Sequence, residues 1–415
     1  MSQLSYPSAK SPTDVLSRLD AAAPVFRGVR RLTPKLVIVT EIIAPYRIPV
    51  LNALARRPEI ELEVMFLSAN DPTLREWKVY KDEIKFRYHV LSSWRRRLGG
   101  YNLLLNRGVR SSLSSINPDV VLCGGYNYLA SWSAASWARS RRVPLLLWSE
   151  STAWDRRREY PFVEFMKARF LKLCTAFVVP GKSSLNYLIN LGIAEEQVFI
   201  APNAVDTALF SKLAETARQD ESCGRRRLPS RYFLYVGRLV KDKGVFELLE
   251  AYAQLEAETR RNIGLVFAGT GPESRKLVER ATRISPGTIQ FPGFVHREEL
   301  PEIYALAESL IFPTHSDPWG LVVNEAMACS LPVILTSVAG CALDLVRDGW
   351  NGFVIPRRDI SQLALAMARV ARDSAKRIEM GRRSRECIEA YSPEGWANGI
   401  LEAVKSVARE SYPQG

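Results

Sequence analysis

The sequence predicts an α/β protein built from two doubly wound, Rossmann-like domains. Three observations carry this expectation: the length, the alternation of apolar runs with helical patterns, and a pause in that alternation near the middle of the chain. At 415 residues the chain exceeds one ordinary domain, so two or three are expected. Hydrophobic residues make up 47% and charged residues 24%, which supplies packed cores and argues against wholesale disorder.

Residues 1–33 are polar and lack both the apolar segment and the cleavage site of a secretory leader, so they read as a disordered tail. K-L-V-I-V-T-E-I (35–42) is a β-branched apolar run suited to a buried parallel strand, and 45–57 follows with helical spacing at Ile48, Leu51 and Leu54. Further strands are expected at 60–67, 118–125, 143–150 and 175–181, with helices at 131–142 and 165–174. This cadence defines a first domain over 34–205. The polar, turn-rich stretch within 206–230 reads as a linker or surface loop. The cadence restarts with strands at 231–239, 263–271, 288–294, 309–315 and 331–337 and a helix at 244–255, giving a second domain over 231–390.

Composition removes several classes of function. No apolar run reaches the ~18 residues of a membrane-spanning helix. Six cysteines are scattered without C-x-x-C pairs, and the only histidines are His89, His296 and His315. Neither a zinc site nor a disulfide framework fits that usage, and a reducing cytoplasm does. No metal and no cofactor are expected. The net charge of +13 is uneven: residues 1–200 carry 29 Lys+Arg against 17 Asp+Glu, and the remainder is near neutral. A basic first half calls for an anionic partner. A phospholipid surface suits it better than nucleic acid, because no nucleic-acid recognition signature accompanies the charge. The tract Trp94–Leu105, which mixes basic, aromatic and aliphatic residues, and Arg156, Arg157 and Arg158 fit such a face. A solvated turn followed by a core helix describes that tract nearly as well.

Ligands of doubly wound sheets bind beyond the carboxyl ends of the strands, and several unusual residues fall there. In Y-V-G-R-L-V-K-D-K-G (235–244) a strand ends at Gly237, and Arg238 and Lys243 project from one strand-to-helix loop. Two cations there suit a diphosphate, with Arg supplying forked donors and Lys a compact charge; a solvated basic turn is the plainer alternative. In F-A-G-T-G-P-E (267–273), Gly269 and Gly271 ahead of Pro272 permit close backbone approach to a ligand, a weak signal by itself. The most specific segment is P-T-H-S-D-P-W-G-L-V-V-N-E-A-M-A (313–328). Asp317-Pro318 reads as a helix start, and free amides near Gly320 and Leu321 make an anion site. Glu325, eight residues on, is expected about two turns along the same side. A carboxylate at each point can accept hydrogen bonds from sugar hydroxyls; spacing alone equally allows an N-cap at Asp317 and a solvated helix carboxylate at Glu325. His315 and His296 read more readily as strand-end residues bonded to backbone than as catalysts.

The segment 231–356 resembles the donor-binding domain of the retaining GT-B glycosyltransferases of family 4. The likeness rests on Gly237-Arg238…Lys243-Gly244, Gly269-Thr270-Gly271-Pro272, Asp317-Pro318-Trp319-Gly320…Glu325-Ala326-Met327-Ala328 and Gly349-Trp350-Asn351-Gly352 in the family's order. Ala44-Pro45-Tyr46-Arg47 and Ala201-Pro202-Asn203-Ala204-Val205-Asp206 extend it more loosely across 35–400. The resemblance implies two domains facing a central cleft, the first binding acceptor and the second a nucleotide-sugar, with a terminal helix (391–415) crossing back to the first. It implies that Arg238 and Lys243 bind the diphosphate, that Glu325 binds the ribose hydroxyls, and that Asp317 stands where the family's first glutamate meets the donor sugar. A UDP-sugar is favoured over a GDP-sugar, with a saccharide or lipid-linked saccharide as acceptor. Two positions differ from the family pattern: Asp317 is one methylene shorter than glutamate, and Ser330 replaces a glycine. In the first domain Tyr46, Arg47 and Glu150 are the cleft candidates. A nucleotide-sugar epimerase on the same fold and a non-catalytic basic binding module are the rival readings.

Overall fold

The structure is a computed structural model that describes residues 33–70, 80–98, 101–155, 161–219, 228–285 and 287–410. The tail expected over 1–33, apart from its last residue, and the arginines at 156–158 lie outside the described residues.

The strands are β1 (Lys35–Ile42), β2 (Glu61–Ser68), β3 (Arg87–Val90), β4 (Ser93–Leu98), β5 (Tyr101–Asn106), β6 (Val120–Cys123), β7 (Leu145–Trp148), β8 (Ala176–Val179), β9 (Val198–Ile200), β10 (Tyr232–Val236), β11 (Gly264–Ala268), β12 (Ile289–Gly293), β13 (Ser309–Phe312), β14 (Val333–Thr336) and β15 (Gly352–Ile355). Among the described residues they form two parallel sheets, ordered β3-β2-β1-β6-β7-β8-β9 and β12-β11-β10-β13-β14-β15, plus the antiparallel pair β4-β5. The fold is the predicted pair of Rossmann-like sheets. Leu36, Val37 and Ile38 in β1 are fully buried, as are Phe233 and Leu234 in β10. Helices cover both faces, so the central strands read as unbroken apolar runs.

Strand order reverses between β1 and β6 in the first sheet and between β10 and β13 in the second. At such a switch point the two flanking loops diverge to opposite faces and leave a crevice. The loops concerned are those after β1 (Ala44 to Arg47), β6 (Gly124 to Asn127), β10 (Gly237 to Gly244) and β13 (Pro313 to Gly320).

Three local expectations are corrected. The tract 94–105 is a hairpin, with Trp94 opposite Leu105, Arg95 opposite Leu104 and Arg96 opposite Leu103. It is no helix, because β4 and β5 bury Leu104 by the strand period of two, leaving Trp94 exposed. The supposed linker contains a helix, Thr207–Gln219, whose Phe210, Ala214 and Ala217 pack into the second domain's core. Asp206 caps it by accepting from Leu209 N at 3.0 Å, and 220–227 lie outside the described residues. The helix after β13 is Leu321–Ala328, with Gly320 at φ +100° as its N-cap. Asp317 therefore precedes the helix, and no run of two helical turns joins it to Glu325.

The final helix, Pro393–Glu410, returns to the first domain. Its Trp396, Ala397, Ile400, Ala403 and Val404 recur at helical spacing and fill that domain's core. The rings of Trp396 and Trp148 lie 5.2 Å apart.

Candidate active site

Close packing of three loops shapes the second-domain side of the cleft. Gly269 has φ +150°, and a Cβ there would lie 1.9 Å from Gly237 O. Gly237 N donates to Ala268 O at 3.0 Å and Leu239 N to Thr270 O at 2.8 Å. The glycine turn after β11 thus lets the loop after β10 settle against it. Gly244 (φ +68°) presses on Pro313, where a Cβ would come 2.0 Å from the carbonyl oxygen. His315 N donates to Asp242 O at 2.8 Å. These contacts fix the short 3-10 turn Lys241–Lys243 against the end of β13.

Lys243 forms an ion pair with Asp317, both partly buried, and its Nζ donates to Ser316 O at 3.4 Å. The other Asp317 oxygen accepts from Trp319 N at 3.0 Å. Arg238 is exposed in the same crevice, and among the described residues its side chain has neither ion pair nor hydrogen bond. A cation so placed is available to an anionic ligand. Glu325 accepts from Tyr304 Oη at 2.8 Å. Burial pushes its carboxyl up to about 7, a rise the tyrosine hydrogen bond partly offsets.

Two adjoining cavities fill the cleft. The larger, ≈ 810 Å³, takes in Gly237, Gly269, Gly271, Gly320, Leu321 and Glu325 from the second domain and Tyr46 from the first. The smaller, ≈ 510 Å³, runs between the loops after β1, β6 and β7 and the loop after β10, with Arg47, Gly124, Asn127 and Asp155 in its walls. Glu150, Arg238, Lys243 and Pro318 line both. Asp317 lines the larger cavity. Of the residues singled out in the sequence, Pro272 is exposed and lines neither cavity. His315 also lines neither: it is buried, with its ring 2.9 Å from Glu247 on the helix Val245–Ala253.

Glu150 follows β7. Its Oε1 lies 3.5 Å from Arg47 Nη2 and accepts from Asn203 Nδ2 at 3.4 Å. Arg47 also donates to Thr40 Oγ1 at 3.0 Å, with its guanidinium carbon 4.3 Å from the centre of the Trp148 ring. Asn203 O in turn accepts from Asn324 Nδ2 at 2.8 Å, one residue before Glu325.

No local pattern of residues marks the contacts that hold the two domains together. Arg297, after β12, grips Glu83 of the first domain (Nη1–Oε2 3.0 Å) and lies 4.1 Å over the Tyr80 ring. Tyr80 and Arg297 both line the larger cavity. On the opposite flank Asp344 accepts from Lys182 N at 3.0 Å, capping the helix Lys182–Asn190 from the other domain. Tyr304, Asn203 and Asn324 were likewise missed, since no local spacing marks a partner about 20 or 120 residues away. Among the described residues no group of three or more His, Cys, Asp or Glu is placed to hold a metal ion, and no helix is long and apolar enough to cross a membrane.

Two Rossmann-like domains with their switch points facing across a cleft define the GT-B class of fold. Residues 222–387 match the family model for glycosyl transferases group 1, and residues 50–209 that for glycosyltransferase family 4. The two matches span most of the chain, which belongs to the group 1 glycosyltransferases of GT-B fold. It is 31% identical over 178 residues to the O-antigen chain mannosyltransferase B of Escherichia coli, covering 42% of this chain and 45% of that protein. It is 26% identical over 235 residues to the capsular polysaccharide biosynthesis glycosyltransferase CapM of Staphylococcus aureus, covering 55% of this chain and 60% of CapM. The matches thus span less than two thirds of these relatives. Anabaena HepE in complex with UDP has the same fold (TM-score 0.71, 18% identity), covering 90% of this chain and all of HepE.

Proposed function

We propose that this protein transfers a hexose from a nucleoside-diphosphate sugar to an acceptor hydroxyl, in the assembly of a cell-surface polysaccharide or glycolipid. The observation that carries the reading is the seam between the two cavities, where Arg238, without an ion pair among the described residues, and the Lys243–Asp317 pair sit beside the glycine-built crevice of the second domain. The nucleotide lies in the larger cavity. Glu325 accepts its ribose hydroxyls, and the diphosphate reaches Arg238, Lys243 and the free amides at Gly320 and Leu321. Asp317 faces the donor sugar, and Pro272 only shapes the turn behind Gly271. As the sugar–phosphate bond breaks, charge develops on the diphosphate. The held Lys243, the exposed Arg238 and the helix start stabilise that charge without a divalent ion, the kind of electrostatics that contributes most to many such reactions.

Acceptor enters through the smaller cavity, past Arg47, with Tyr46 on the wall of the larger cavity beside it. Attack from the face that the diphosphate leaves retains the anomeric configuration, as the family resemblance implies. HepE, which shares the fold, is complexed with UDP, and this supports a UDP-sugar ahead of a GDP-sugar. The relatives in O-antigen and capsule synthesis support a saccharide acceptor, lipid-linked in our reading. The basic first domain, with the exposed Trp94 of its hairpin, then rests on anionic headgroups at the cytoplasmic side of a membrane.

A thermal-shift panel of nucleoside diphosphates tests the core of the proposal. UDP, or failing it GDP, is expected to raise the melting temperature at concentrations well above its Kd. No shift with any of them sinks the proposal.

A further inference from the structure

We infer that Trp319 is a positioning residue that ties the donor loop to the angle between the two domains, a role that rests on the transferase reading above. Trp319 adjoins Gly320 and lies two residues after Asp317, so its backbone belongs to the loop that meets the donor. The residue is only 2% exposed, and its indole packs among parts of both domains.

The first domain rests directly on that indole. Gly181, which opens the helix Lys182–Asn190, has extended backbone (φ 173°) that any residue adopts, so its own conformation does not demand glycine. The other domain does: a Cβ at this position would lie 2.7 Å from Trp319 Cζ3 and 2.5 Å from Asp344 Oδ2. The Asp344 carboxylate, which accepts from Lys182 N, can swing aside; the indole cannot. Trp319 Nε1 donates to Asn324 Oδ1 at 2.8 Å, and the ring lies 6.2 Å from that of Tyr391.

Those two partners sit where the chain crosses between the domains. On the way out, Ala204 packs in the first core and Val205 in the second, and the neighbouring Asn203 O accepts from Asn324 Nδ2 at 2.8 Å. On the way back, Tyr391 packs against the second core and Trp396 within the first, with Tyr391 Oη donating to Asp344 O at 3.3 Å. Trp319 therefore touches one crossing directly and reaches the other through a single side chain. Its own loop is laid on the segment just ahead of Asp344: Gly340 N donates to Asp317 O at 3.0 Å and Cys341 N to Trp319 O at 3.2 Å. Close-packed interiors transmit strain, so a change in the domain angle shifts Asp317 and Gly320 with it. By reciprocity, a donor seated on that loop biases the angle.

Gly181 lines neither cavity, so Gly181→Ala disturbs this bearing from the first domain without touching a ligand. On the full chain, calorimetry measures the binding of UDP and GDP, and small-angle X-ray scattering measures the radius of gyration. Gly181→Ala is expected to weaken whichever nucleotide the parent binds by about tenfold, within the usual span of coupling between sites, and to enlarge the radius of gyration. Trp319→Phe shortens the ring and makes room. In that background, adding Gly181→Ala is expected to change the Kd by less than about threefold, because the two positions act through one contact. A folded Gly181→Ala with the parent's Kd overturns the coupling, as does an undiminished loss in the Trp319→Phe background. Should Gly181→Ala not fold, Asp344→Ala, which deletes a contact and adds no bulk, is expected to weaken the nucleotide by about fivefold, and an unchanged Kd overturns the coupling equally. Failure of the parent to bind either nucleotide sinks the transferase reading. Scattering then decides the bearing by itself, and a parental radius in folded Gly181→Ala removes it.

Discussion

Replacing Lys243 with alanine isolates the electrostatic half of the site. The Lys243 side chain is 23% exposed and is held by Asp317 and Ser316 O, so its charge is fixed before ligand arrives. At a separation of ~4 Å and an effective dielectric of ~20, a unit charge pair is worth ~4 kcal/mol. Part of that is returned, because the lysine must share itself between the phosphate and Asp317. In the variant Asp317 is left as an uncompensated carboxylate facing the incoming anion, which works in the opposite sense. A net loss of ~2–3 kcal/mol follows, or roughly 30- to 150-fold in the Kd of UDP. Uridine, which has no diphosphate, is the internal control, and its affinity should stay within about twofold. Losing one partly exposed pair costs about 1 kcal/mol of stability, a fall of roughly 2–4 °C in the melting of that domain. Calorimetric titration of both ligands into both proteins decides the matter. A UDP affinity unchanged within threefold, or an equal loss for uridine, would refute the role given to Lys243.

Three further outcomes are expected. The Glu325 carboxyl is raised to about 7 from an ordinary value of 4.5, so the folded state holds its proton more tightly than the unfolded one. That stabilisation is complete below pH 4.5 and is lost as pH rises to about 7, by ~3 kcal/mol; in Glu325→Gln, denaturant titrations across this range should show that part of the slope gone. Arg297→Ala removes the grip on Glu83 and frees Tyr80 from the wall of the larger cavity, so stopped-flow should show UDP leaving about five times faster, an effect of ~1 kcal/mol; an unchanged off-rate contradicts it. Ser330 sits at φ +59°, a left-handed conformation that costs a non-glycine residue ~1 kcal/mol, so Ser330→Gly should raise the denaturation midpoint, and a lower midpoint would show that the serine side chain contributes more than its strain costs.

The architecture was legible in the sequence because parallel strands buried on both faces are written as uninterrupted apolar runs: β1, β10 and β13 could be read directly. The hairpin β4–β5 was harder. Three consecutive leucines, Leu103, Leu104 and Leu105, look alike to any period, and only cross-strand pairing shows that Leu104 faces inward. The helix Thr207–Gln219 was obscured by polar neighbours, although Phe210, Ala214 and Ala217 already carried helical spacing. At the site, the cations and glycines stood out because each lies within a few residues of a strand end. The helix start read at Asp317 was misplaced, since Gly320 takes that position and the Asp317 carboxylate pairs with Lys243 instead. Tyr304 against Glu325, Asn324 against Asn203 and Arg297 against Glu83 depend on how whole domains meet. No local pattern encodes that.

The returning helix Pro393–Glu410 imposes an order of assembly. Until Pro393–Glu410 is in place the first domain lacks the layer that Trp396, Ile400 and Val404 provide, so its inner surface stays open that long. The second domain has all its strands between Tyr232 and Ile355 and closes without waiting. The crevice of the second domain therefore exists before the first domain is finished, and a chain lacking Pro393–Glu410 would keep the one while exposing the greasy interior of the other.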